Sequence, residues 1–205
     1  MKTRLRILSI FLCISFLTAC GARNEPEYPP VPELFSLTRE DAAQAFAGDA
    51  MAAAIRQIRS ETGEGIDSAR FTHPFTIPTV RGDGSIEESD TTWYTLAYDD
   101  RQLYAMFTVF YPETEEAPLV LGSAVGISTL NSLLEREARH TGERRITLVS
   151  LPGLPGTTES LCFVSADGLV FPLFRRDPAE QEGVEAAYLP ALTPQVVLPR
   201  DMRLT

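Results

Sequence analysis

Residues 92 to 111 constrain the fold of this chain more than any other stretch. Thr92 to Tyr98 and Leu103 to Tyr111 are two runs rich in aromatic and β-branched residues, separated by the polar Asp99-Asp100-Arg101-Gln102. Such a pattern predicts a β-hairpin. Trp93, Tyr94, Tyr98, Tyr104, Phe107, Phe110 and Tyr111 fall on both faces of it, because successive strand side chains point to opposite sides. A hairpin that is apolar on both faces has to be covered on both. Core packing is the simpler reading of these rings. Trp93, Tyr94, Tyr98 and Tyr104 are nonetheless the candidate residues for a binding surface, since aromatic rings also stack on sugars and line peptide grooves.

The remaining elements follow from periodicity and punctuation. Thr38 is placed to cap a helix, with Glu40 and Asp41 near its positive end and Ala43, Phe46, Ala50, Ala54 and Ile58 recurring at helical spacing. Gly63 and Gly65 end it. Pro74 and Pro78 make the segment from Phe71 to Val80 an irregular or edge stretch. Arg81-Gly82-Asp83-Gly84 reads as a turn. Its Arg-Gly-Asp triplet resembles an integrin-recognition motif, but turn chemistry accounts for it fully.

Leu119 to Ile127 predicts another strand, and Ser128 or Thr129 caps a helix through Leu133, Leu134 and Ala138 that Gly142 closes. Arg145 to Leu151 returns as a strand. Ser160 to Ala166 and Leu169 to Phe174 pair across Asp167-Gly168, and Tyr188 to Leu198 supplies edge segments. The expected architecture is one α+β domain over residues 37–205, with an antiparallel sheet of five to seven strands and two main helices.

The N-terminus carries a different signal. Lys2, Arg4 and Arg6 precede an apolar run from Ile7 to Phe16, followed by Leu17-Thr18-Ala19-Cys20-Gly21. A short basic segment, an apolar core too short for a stable span and small residues before a cut describe a secretory signal. The Leu-Thr-Ala-Cys run resembles the lipobox of bacterial lipoproteins. That resemblance implies cleavage after residue 19, a diacylglyceryl group and palmitate-type acyl chains on Cys20, and a chain held on the membrane facing outside the cytoplasm, at the cell surface or in the periplasm. Pro26, Pro29, Pro30 and Pro32 then make residues 20–36 a semi-rigid tether. Extended polyproline geometry gives it a reach of about 50 Å at ~3.1 Å per residue.

Charge and composition exclude several chemistries. Cleavage removes three of the 18 basic residues, so 15 stand against 28 acidic ones and the formal balance falls from −10 to −13. Such a surface repels phosphate backbones and anionic headgroups, so no nucleic-acid partner is expected and the lipid does the holding. Lys2 is the sole lysine, which removes Schiff-base, serine-lysine and P-loop lysine chemistry from the processed chain. With Cys13 cut away and Cys20 lipidated, Cys162 has no disulfide partner and reads as a small buried hydrophobe.

No catalytic pattern emerges. In Gly122-Ser123-Ala124-Val125-Gly126 the serine sits one position away from the nucleophile-elbow pattern. His73 and His140 lack the local spacing of zinc ligands, and His140 fits the last turn of a helix, where imidazole complements the negative dipole end. The expected function is a non-enzymatic, monomeric binding or assembly module without cofactor or metal, whose partner is an envelope protein, a peptide or a glycan. The alternative is an envelope hydrolase whose carboxylates converge only in three dimensions.

Overall fold

The computed structural model describes residues 33–152, 161–173, 183–185 and 189–199. The leader, Cys20, most of the tether, and the expected element boundaries at Ser160, Phe174 and Tyr188 lie outside the described residues.

In chain order the elements are β1 (Leu34–Phe35), α1 (Arg39–Phe46), α2 (Asp49–Thr62), a 3-10 stretch (Glu64–Ser68), β2 (Arg70–Phe71), β3 (Thr79–Val80) and β4 (Ile86–Glu87). Then come β5 (Thr92–Tyr98), β6 (Leu103–Pro112), β7 (Leu119–Ser123) and α3 (Ile127–Thr141). The C-terminal part adds β8 (Arg145–Ile146), β9 (Leu148–Ser150), β10 (Leu161–Val164), β11 (Leu169–Pro172), β12 (Val184–Glu185) and β13 (Val196–Val197). The chain is a single-domain α+β fold.

The predicted hairpin is the β5–β6 pair, in register from Thr92 opposite Phe110 to Ala97 opposite Ala105. Tyr98 then pairs with Leu103, so Tyr104 is an extra residue at a bulge. β7 and β1 both pair along the outer side of β6, and β2 pairs with β5. Both faces of this sheet are covered. On one, Ala97, Ala105, Phe107, Val109 and Val120 pack against Ala42 of α1, Met51, Ala54 and Ile58 of α2, and Ile66. On the other, Leu96, Leu103 and Met106 meet Leu130, Leu133 and Leu134 of α3, together with Leu148, Phe163 and Phe171.

Those last three residues belong to a second sheet, ordered β12-β11-β10-β9-β3-β4, in which only the β3–β9 pairing is parallel. Its far face carries Val80, Val149, Leu151, Cys162 and Val170, packed by Leu189 and Leu192. The single expected sheet is therefore two large sheets and a two-stranded pair. The expected strand from Arg145 to Leu151 divides at Thr147: β8 pairs with β13, while β9 enters the second sheet.

The N-terminal helix also divides. Thr38 caps α1 as expected: its hydroxyl accepts the Asp41 N–H at 3.2 Å, and its own N–H donates to the Asp41 carboxylate at 3.1 Å. The Thr38 hydroxyl also donates to the Asp41 carboxylate at 2.7 Å, and this bond, with that from the Thr38 N–H, holds the Asp41 pKa below the ordinary carboxylate range. Gly48 then adopts an extended conformation and restarts the helix at Asp49. The break rotates the stripe, so Ala42, Met51, Ala54 and Ile58 are buried while Ala43 and Ala50 are exposed.

α3 starts from Gly126 in the left-handed region (φ 78°), ahead of the expected Ser128 or Thr129, and Thr129 is buried. Gly142 (φ 72°) closes it as expected. At the other end of the domain, Leu34 and Phe35 pair with Pro112 and Tyr111, so the folded unit takes in residues that the proline content assigned to the tether.

Candidate functional site

The four aromatic candidates do not converge. Trp93 faces the α1–α2 side, where its Nε1–H donates to the Leu37 carbonyl at 2.8 Å. Tyr104 lies on the same side and donates its hydroxyl to Asp99 at 2.6 Å. Burial pushes the Asp99 pKa up, but hydrogen bonds from Tyr104 and from the N–H groups of Arg101 and Gln102 outweigh it and hold the carboxyl low. Tyr94 and Tyr98 pack on the opposite face. Tyr94 stacks on Phe75 with ring centroids 6.1 Å apart, and burial raises its hydroxyl pKa. Tyr98 lies beneath the Arg70 guanidinium, 5.1 Å from the ring centroid. With the sheet between the two pairs, these rings make no common platform.

Other sequence candidates resolve into structural roles. Cys162 is fully buried, and that burial pushes its thiol up to about 12, which keeps it protonated and unreactive at neutral pH. Ser123 ends β7, its hydroxyl accepting the Val125 N–H at 3.2 Å. Gly122 beside it is required by packing, since a Cβ there would lie 2.8 Å from Phe107 and 3.0 Å from Ile58. Arg81-Gly82-Asp83-Gly84 is a turn, closed by the Gly84 N–H on the Arg81 carbonyl at 2.8 Å and by Asp83 accepting the Ser85 N–H at 2.9 Å. His73 and His140 are exposed. Among the described residues, no group of three or more histidine, cysteine or carboxylate side chains is placed to hold a metal ion. None of the described helices is long and apolar enough to cross a membrane.

A more selective site lies at the C-terminal end of α3. Ile127, Leu130 and Leu134 define the buried stripe of that helix, and Glu137 continues it, 8% exposed. A carboxylate on an apolar stripe needs donors. Glu137 Oε1 accepts the Ala166 N–H at 2.8 Å, offered by the turn between β10 and β11. That turn is fixed by Gly168 (φ 83°), whose N–H donates to the Ser165 carbonyl at 2.9 Å, and by the Ser165 hydroxyl donating to Asp167. The Ser165 bond, assisted by the charge of Arg136, holds the Asp167 carboxyl below the usual range.

Glu137 and the turn together form a wall between two hollows. The first, about 450 Å³, has an apolar floor of Leu133, Phe163 and Phe171. Arg136, His140 and Asp167 also line it. The Arg136 guanidinium stands 5.3 Å from the centroid of the Phe171 ring. The second hollow, about 540 Å³, lies on the far side and includes Arg145, Thr147 and the segment from Leu189 to Leu192. Arg145 is already paired with Glu143. Elsewhere, a groove of about 620 Å³ beside Phe35, Leu37 and Tyr111 is formed by β1, α1 and the residues before β7.

Hollows of this size suit small organic molecules, and the mixture of an apolar floor with a few fixed charged groups orients rather than merely buries a ligand. Sequence reasoning missed this site, although one signal was present: Glu137 falls where the helical repeat calls for an apolar residue. No protein-family model matches the chain, and no curated protein or solved structure matches it.

Proposed function

We propose that this chain is a lipid-anchored cell-envelope lipoprotein whose domain is a binding module rather than an enzyme. The anchor rests on the lipobox-like leader and Cys20. The binding role rests on one observation: a nearly buried carboxylate, Glu137, walls two hollows and has a single side-chain hydrogen bond among the described residues. The negative charge balance favours attachment through acyl chains over electrostatic attachment, and it disfavours nucleic acid as a partner. In this reading the protein works as a monomer outside the cytoplasm, on an envelope peptide, glycan or protein component.

The hydrolase alternative has one observation in its favour, because Glu137 and Asp167 line the same hollow and paired carboxylates are what glycoside hydrolysis uses. Such a pair needs one ionised carboxyl and one that holds a proton near neutral pH; Asp167, held low, fits the ionised role, and no contact among the described residues singles out Glu137 for the other. Binding is therefore the better reading.

Washing membranes that contain the full-length protein tests the anchor. The protein is expected to stay in the pellet through high salt and alkaline carbonate and to be released by detergent. Release by salt alone would mean that charge holds it, and the lipoprotein reading would fail.

A further inference from the structure

We propose that the hollow between α3 and the β10–β11 turn binds an organic ammonium ion, with the cationic group on Glu137 and the hydrocarbon portion on Leu133, Phe163 and Phe171. This rests on the binding-module reading and specifies its ligand chemistry. Three features carry it. An ionised carboxylate offers about four acceptor sites, and the described contacts of Glu137 fill one of them, through the Ala166 N–H. No ion pair reaches it among the described residues. Its second oxygen is not among the buried polar atoms that lack a partner, so it opens on the hollow, where a cationic donor can reach it.

The charge around the hollow sets the sign of the ligand. Two carboxylates, Glu137 and Asp167, face one guanidinium, Arg136, which leaves one formal negative charge; His140 adds none when neutral. Asp167 is kept ionised by Ser165 and Arg136, so the rim stays negative well below neutral pH. The Arg136 guanidinium already stands over the Phe171 ring, so the floor offers the ligand apolar contact and the cationic group is left to Glu137. An anionic ligand would meet two carboxylates, and a neutral one would gain no charge-assisted bond from Glu137.

Titrating the full-length protein with phenethylammonium and with the neutral 2-phenylethanol tests this at neutral pH, because the two probes share a ring and chain and differ in the charged group. The ammonium probe is expected to bind at least about tenfold more tightly, the range of a charge-assisted hydrogen bond. Glu137→Gln keeps an acceptor for the Ala166 N–H and is expected to lose that tenfold while holding its affinity for the alcohol. Asp167→Asn, an exposed substitution, is expected to weaken the ammonium probe severalfold and serves if Glu137→Gln fails to fold. Equal binding of both probes would overturn the ammonium assignment and leave the binding module standing. Binding of neither would overturn the assignment and, with it, the reading of this hollow as a ligand site.

Discussion

Replacing Phe107 by alanine is expected to lower the unfolding free energy by about 3–5 kcal/mol. Phe107 is fully buried at the centre of β6, opposite Thr95 on one side and Gly122 on the other. Its ring meets Phe71 edge-on at 6.0 Å and occupies the space that a side chain at Gly122 would otherwise claim. Neither neighbour is suited to close the void, since Gly122 has no side chain and Ile58 is fixed on α2. The cost is a large share of the ~5–15 kcal/mol that holds a domain together. Urea denaturation measures it directly. A loss below about 1 kcal/mol would mean that the helix-facing core is not packed as described.

Cys20→Ser is expected to abolish membrane retention. Each buried methylene of an acyl chain contributes about 0.8 kcal/mol, so two or more chains hold a protein firmly while none leaves only the surface of the domain. That surface carries the excess of acidic residues and has no electrostatic attraction for anionic lipid. Labelled palmitate should enter the wild type and not the variant, and the variant should accumulate as a larger precursor or a mislocalised product. A serine variant that still takes up label and matures normally would show that Cys20 is not the lipidated residue.

The sequence makes the hairpin and its two-sided cover readable, because Trp93, Tyr94, Phe107 and Phe110 place apolar surface on opposite faces within a few residues. The cap at Thr38, the close of α3 at Gly142 and the turn at Asp167-Gly168 are readable for a similar reason: each depends on local backbone chemistry. What escapes is long-range. Nothing near Thr79 announces its parallel pairing with Ser150, and nothing near Arg145 tells which residues join β13 and which join β10. A strand's own pattern gives its faces and leaves its neighbours open.

Two misplacements are local and instructive. The alanine-rich repeat runs on past Gly48, so periodicity alone joins α1 to α2, yet the Gly48-Asp49 pair is itself a stop followed by a favourable start. Ser128 and Thr129 have cap-forming side chains, but Thr129 belongs to the buried face of α3, and Gly126 takes over the boundary. The candidate site combines both difficulties. It needs the end of α3, the β10–β11 turn and the segment near Leu189 to meet, which spacing cannot show, while the misfit of Glu137 within its own stripe is visible at once.

If ligands enter beside Glu137, amide chemical shifts of the isotope-labelled full-length protein will report it during a phenethylammonium titration. The largest changes are expected at Ala166, Asp167 and Gly168 and in the last two turns of α3, led by the Ala166 N–H that Glu137 holds. Largest changes at Trp93 to Tyr98, or in the groove beside Phe35 and Tyr111, would place the ligand elsewhere and overturn the Glu137 site.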